Sequence, residues 1–172
     1  MKNKLIDEEE QNSNERAVLI EKRIRQFADM IYRIACQNTS SYSDAEDILQ
    51  EVSIAMVTKN APLEDEEYLK RWLIRVTINK CRDMYRHLKL IETEPLELHE
   101  DIPSEEKEDF LEEIHKLPEQ YRTIIYLYYY ENYSIKEIAA ILDKSINTIN
   151  SGLQRARKQL KIILTEEGFC YG

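Results

Sequence analysis

Apolar residues along this chain recur three and four positions apart in segment after segment, and the elements they predict are helices throughout. Ile20, Ile24, Phe27, Ile31 and Ile34 give a long helix with one apolar stripe, ended by the polar run NTSSY. The residues before it are polar and acidic, and the first ten or so are expected to be disordered. Ser43 and Glu46 have capping-box spacing and open a second helix through about Val57. Ala45, Ile48, Leu49, Val52 and Met56 face inward there, while Asp44, Asp47, Gln50 and Glu51 face out. A loop from Thr58 to Asp65, containing Pro62, leads to a third helix over about Glu66–Leu88. Leu69, Trp72, Leu73 and Val76 form its apolar face, continued by Cys81, Met84, Tyr85 and Leu88. Arg71, Arg75, Asn79, Arg82 and Arg86 fall in one narrow stripe on the other side at 100° per residue.

After a proline-containing, acid-rich stretch from Leu90 to Pro103, which reads as a linker, the helical pattern resumes. Phe110, Leu111, Ile114 and Leu117 make a small helix stopped by Pro118, which suits the first turn of the next one. Tyr121, Ile124, Ile125 and Tyr128 share a face of that next helix. The cluster YLYYYENY that follows could stack on single-stranded bases, but packing of a small helical domain explains it more simply. From Ser134 to Lys161 two short patterns are joined by Asp143-Lys144-Ser145. Ser134 and Glu137 form a capping box ahead of Ile135, Ile138, Ala139 and Leu142. Ser145 caps the second helix, whose inner face is Ile146, Ile149, Leu153, Ala156 and Leu160. Its outer face carries Asn147, Thr148, Asn150, Ser151, Gln154, Arg155 and Lys158, side chains that bond base edges and phosphates. The pair has the form of a helix-turn-helix with a recognition helix. The fold is therefore all-α: two small helical domains, 14–89 and 104–165, joined by an acidic linker over 90–103, and a frayed tail.

Charge sharpens this picture. The net charge of −9 argues against nucleic acid until it is resolved into blocks. Lys70–Lys89 holds seven Lys or Arg against one Asp, Glu92–Glu113 holds eleven acids against one Lys, and Lys144–Lys161 holds five Lys or Arg and no acid. Fields are local within a Debye length of roughly 8–10 Å, so two basic segments separated by an acidic connector can both meet phosphates. Surface arginines are usually only solvated, and acids in a first turn complement the helix dipole. That accounts for Asp44 and Asp47 but less readily for Glu51, and the Arg/Asn stripe is too uncompensated to be a bland face. Cys36, Cys81 and Cys170 show no CxxC, and His87, His99 and His115 have no metal-ligand spacing, so neither a zinc site nor any cofactor is expected. With only three glycines there is no phosphate-cradling loop, and no nucleophilic arrangement stands out, so an enzyme is not expected. A polar, acidic N-terminus and the lack of a long uncharged apolar run predict a cytoplasmic protein without membrane insertion.

With these residues placed, the chain resembles the extracytoplasmic-function group of bacterial RNA polymerase sigma factors, from about Ile24 to Leu164 and apart from the linker. DAEDILQEV resembles the helix that binds the clamp helices of the polymerase β′ subunit. RWLIRVTINKCRDMYR resembles the −10 helix, LPEQYRTIIYLYYYENYSIKEIAAIL the opening of the C-terminal domain, and INTINSGLQRAR the −35 recognition helix. Four such blocks in order are specific where any one would be weak. The resemblance implies core polymerase binding through Asp44, Asp47, Gln50 and Glu51. It implies −10 contacts through Leu63, at a usually aromatic pocket position, with Arg71, Arg75, Asn79, Arg82 and Arg86. It implies −35 contacts through Thr148, Asn150, Ser151, Gln154, Arg155, Arg157 and Lys158. The implied partners are core polymerase (β′ clamp helices and β flap), promoter DNA, and an anti-sigma factor, either soluble or membrane-anchored. The chain departs from the family at Asn150 and Gly152, where cations are usual. A missing cation at Gly152 predicts that Gly152→Arg adds a phosphate contact. The alternative is that a close approach requires the glycine. The rival function is a helix-turn-helix regulator that acts without core polymerase.

Overall fold

The computed structural model describes residues 2–59, 61–91 and 110–166, and every regular element among them is an α-helix. These are α1 (Lys2–Asn38), α2 (Tyr42–Thr58), α3 (Glu66–Ile91), α4 (Phe110–His115), α5 (Glu119–Tyr129), α6 (Ile135–Leu142) and α7 (Ile146–Glu166). Most of the expected linker and the tail beyond Glu166 lie outside the described residues.

In the N-terminal half, α1 packs on α2 and α3, and α2 packs on α3. Ile31, Ile34, Ile48, Val52, Met56, Leu69 and Leu73 are all but fully buried between them, as their spacing predicts. In the C-terminal half α5, α6 and α7 pack on one another, and α4 closes against α5 and α7. Ile125, Leu127, Ile138, Ile149, Leu153 and Ala156 fill that core. The tyrosine cluster divides as packing requires: Tyr126 and Tyr133 are buried, and Tyr126 stacks on Tyr130 with ring centroids 5.3 Å apart.

Local expectations fare unevenly. The box at Ser134 forms in both directions, with Glu137 N donating to Ser134 Oγ and Ser134 N donating to Glu137 Oε2. Ser145 Oγ accepts from Thr148 N at 3.1 Å and starts α7. The expected box at Ser43 does not form. α2 starts two residues earlier, with Ser41 Oγ accepting from Asp44 N. Ser41 offers the same kind of acceptor as Ser43, two residues earlier. Asp65 takes the corresponding role for α3, accepting from Tyr68 N at 2.9 Å. The N-terminal segment expected to be disordered is helix from Lys2, because its Glu, Lys, Gln and Arg residues are good helix formers that continue α1. α3 runs through Ile91, past the expected boundary at residue 89. Ile146 and Tyr85 were expected on inner faces, yet they are 48% and 50% exposed. Ile146 opens its helix, a turn short of the neighbours that cover Ile149.

The two halves also pack against each other, α1 on α5 and α3 on α6. Polar contacts among the described residues join them. Thr123 Oγ1 donates to Asn38 Oδ1 at 2.8 Å, and Lys70 Nζ meets Glu131 Oε2 at 2.9 Å. Arg75 donates to two backbone carbonyls at the end of α6.

Candidate nucleic-acid interface

The polar stripe of α3 exists as its spacing predicts, opposite the buried Leu69, Leu73 and Ile74. Arg75, Asn79 and Arg86 are exposed, while Arg71 and Arg82 are half-buried. Arg75, Asn79, Arg82 and Arg86 line a cleft of about 720 Å³ whose far wall is Ile141, Leu142, Asp143 and Lys144 of the helix-turn-helix. Four cations and one acid line it, so the cleft is a strongly anion-attracting surface. Arg75 is already engaged there: Nε donates to Ile141 O at 3.2 Å and Nη2 to Ala140 O at 2.8 Å. The last carbonyls of a helix lack intrahelical partners and sit at the negative end of its dipole, which is why a guanidinium settles on them. Arg71 Nε donates locally to Glu67 O at 3.3 Å, and Arg86 pairs loosely with Asp83 at 3.4 Å.

Leu63 does not belong with this group. It is 3% exposed and part of the N-terminal core together with Ala61, so it offers nothing to a base in this arrangement. The short turn between α2 and α3 folds these apolar side chains inward, where burial outweighs exposure at a loop tip.

On α7 the outer face is open. Among the described residues, Asn150, Gln154, Arg155 and Lys158 are exposed, and their side chains make no hydrogen bond or ion pair within the chain. Thr148 and Ser151 are partly used by the helix itself: Thr148 Oγ1 meets Ser145 Oγ at 2.7 Å, and Ser151 Oγ donates to Thr148 O. Arg157 is held by α5, its Nε donating to Tyr129 Oη at 2.8 Å. The turn before α7 is made by Asp143, whose φ of 52° lies in the left-handed region and lets Lys144 N reach back to Ala139 O. An aspartate tolerates that backbone better than most residues.

Gly152 is buried, not displayed. A Cβ there would lie 2.8 Å from Ile124 Cδ1 of α5. The position therefore faces the core, and the expectation that an arginine at 152 would reach a phosphate is wrong. The close approach of α7 to α5 leaves no room there for a long side chain.

The acid-rich face of α2 is a third surface. Asp47, Gln50 and Glu51 are exposed and Asp44 is half-buried. Glu51 is also paired with Lys80 of α3 at 2.6 Å, which leaves Asp47 as the acid with more freedom to meet a partner. Ile54 and Val57, each 60% exposed, continue this face one and two turns on. Sequence reading missed them, although an apolar residue seven positions after Asp47, out of register with Val52 and Met56, was a visible signal.

Two family models match the chain: Sigma-70 region 2 over residues 23–90 and Sigma-70 region 4 over residues 107–160. Among curated relatives, RNA polymerase sigma factor SigV of Bacillus subtilis is 32% identical over 79% of this chain and 85% of its own length. SigZ of the same species is 32% identical over 85% of this chain and 86% of its own. ECF RNA polymerase sigma factor SigE of Mycolicibacterium smegmatis is 30% identical over 83% of this chain and 60% of its own. Among solved structures, the sigma factor RpoE in complex with the anti-sigma factor NepR from Bartonella quintana has a TM-score of 0.66 at 24% identity, covering 84% of this chain and 96% of that one. CnrH in complex with the cytosolic domain of CnrY has a TM-score of 0.60 at 20% identity, covering 87% and 89%. These two structures show a shared fold.

Proposed function

The chain belongs to the extracytoplasmic-function group of RNA polymerase sigma factors and directs promoter-specific transcription with core polymerase, and from that premise we propose how its surfaces divide the work. The unit over 14–89 binds core polymerase and the −10 element, residues 90–103 are the acidic linker, and the unit over 104–165 reads the −35 element. Asp44, Asp47, Gln50 and Glu51, joined by Ile54, form the polymerase-facing side of α2. Arg71, Arg75, Asn79, Arg82 and Arg86 track the phosphates of the −10 region, and Asn79 is the group able to bond the edge of an extruded base. Asn150, Ser151, Gln154 and Arg155 read duplex bases at −35, while Thr148, Arg157 and Lys158 meet its backbone. The observation that carries this division is that one chain holds two dissimilar cationic or polar faces, on α3 and on α7, at different spacings and with different chemistry. An arginine-rich stripe with a single asparagine suits a flexible strand, and an open amide-rich face suits a groove.

A regulator working without polymerase would have no use for a region 2 unit, and family membership excludes that alternative. The chain itself catalyses nothing in this reading; phosphodiester chemistry belongs to the polymerase. It acts where the polymerase is, in the cytoplasm; no helix among the described residues is long and apolar enough to cross a membrane. Two similar folds are solved in complex with partners, one with the anti-sigma factor NepR and one with the cytosolic domain of CnrY, which supports an anti-sigma factor for this chain as well. Run-off transcription with purified core polymerase on promoters from the same genome tests the reading. Initiation from a defined set of promoters, lost on Gln154→Ala or Asn79→Ala, is the expected result. Transcription indifferent to both substitutions would refute the division.

A further inference from the structure

Arg157 is anchored in a way that a surface arginine rarely is. Its Nε donates to Tyr129 Oη at 2.8 Å, and its guanidinium lies 5.3 Å from the ring centroid of Tyr128 and 5.6 Å from that of Tyr129. The two rings meet edge to face at 5.0 Å and 76°, which makes a fixed notch at the end of α5. The partners are 28 residues apart, so the notch is a tertiary feature and not a helix-local accident. Core packing does not demand it, since Tyr129 is 47% exposed and Arg157 is exposed.

The chemistry suggests what the notch does. A free arginine loses rotamer entropy when a ligand fixes it. Here that loss is taken on folding, because a hydrogen bond and two cation–π contacts already hold the side chain. The bond to Tyr129 uses Nε, and the guanidinium's five N–H donors leave enough on the Nη groups to grip a phosphate. At 100° per residue Arg157 lies on the flank of α7 that also carries Asn150, Gln154 and Lys161. A duplex seated on the polar face would bring its backbone past this flank.

We propose that Tyr128 and Tyr129 are positioning residues that present Arg157, already ordered, to one backbone phosphate of the −35 duplex. The proposal rests on α7 being the −35 reader and adds a residue pair outside that helix. Pre-ordering of this kind raises affinity without adding a contact.

The test is fluorescence anisotropy of holoenzyme, reconstituted from the full chain and core polymerase, on a labelled duplex that the wild-type holoenzyme has selected from a randomised pool. Affinity is read at several salt concentrations, and thermal melts of each free variant monitor the fold. Arg157→Ala is expected to reduce the magnitude of the log–log salt slope by about 0.9, the signature of one lost phosphate contact. Tyr129→Phe, which removes only the hydroxyl, is expected to keep the slope and weaken binding by about fivefold, the worth of one hydrogen bond. Arg157→Lys should likewise keep the slope and lose affinity. Tyr129→Phe combined with Arg157→Ala should bind no more weakly than Arg157→Ala alone. An unchanged slope for Arg157→Ala, or a Tyr129→Phe loss that persists in full in the double variant, overturns the proposal. Gln154→Ala separates this failure from failure of its premise. If Gln154→Ala weakens binding while Arg157→Ala does not, only the positioning idea falls; if neither does, α7 is not the reader.

Discussion

A methyl group on Gly152 would come within 2.8 Å of Ile124 Cδ1, the far end of a flexible side chain. Rotation of that terminus can make room for one carbon, and leaving glycine gains about 1 kcal/mol of helix propensity. Gly152→Ala is therefore expected to change the urea midpoint little. Gly152→Arg must force a long side chain into a buried contact and is expected to destabilise the C-terminal unit by about 3 kcal/mol, with weaker DNA binding at every salt concentration. Urea melts of the two variants check this; equal stability of Gly152→Arg and wild type would place position 152 on the surface after all. The glycine's chemistry was not legible because a period of 3.6 places residue 152 only at the margin of the inner stripe defined by Ile149, Leu153 and Ala156. Whether the margin touches a neighbour depends on how closely α5 approaches. Leu63 illustrates a related limit. Resemblance implies a pocket position for it in the loop; in this structure it is 3% exposed, because an apolar residue in a short turn gains by burial.

Helix starts and faces were the most legible elements, because capping and periodicity are local. The Ser134–Glu137 box is an example, and it has a pH signature. Hydrogen bonds from the Ser134 hydroxyl and then its backbone N–H hold the Glu137 carboxyl below its usual range. Its folded-state pKa is depressed, so its contribution is present at neutral pH and is lost as pH falls through the folded value. Glu137→Gln should lower the urea midpoint at pH 7, and the difference should shrink as pH falls below the usual glutamate range. Ser134→Ala should cost about 1 kcal/mol at pH 7. A difference for Glu137→Gln that grows on acidification would contradict the assignment. On α2 the exposed face supplies a second expectation. Asp47→Arg combined with Ile54→Ala should weaken co-purification with core polymerase, while stability stays within about 0.5 kcal/mol of wild type. Undiminished core binding would move the contact surface elsewhere. Reversing Glu51 is a poorer test, because it would set like charges against Lys80, its present partner at 2.6 Å.

At the scale of the whole molecule, the two halves were legible as separate units, whereas their packing against each other was not. Arg75 bound to Ala140 O and Ile141 O, Lys70 to Glu131, and Thr123 to Asn38 join residues 61 to 85 positions apart and leave no periodic trace. In this closed arrangement Arg75 is committed to the end of α6 through Nε and Nη2, which leaves only Nη1 wholly free for a phosphate. Engagement of the α3 stripe with DNA is thus expected to require parting of the halves. Lys70→Glu and Glu131→Lys should each increase the radius of gyration in small-angle scattering, and the double exchange should restore it. No expansion in either single variant would mean that this ion pair does not hold the halves together. The central claim is that α3 and α7 perform separable steps, strand opening and duplex reading. Permanganate footprinting of −10 thymines in holoenzyme–promoter complexes, with promoter occupancy measured in parallel, tests it most directly. Asn79→Ala should leave occupancy near wild type and abolish thymine reactivity, whereas Gln154→Ala should lower occupancy and leave the bound fraction open. Parallel loss of occupancy and reactivity in both variants would contradict the account.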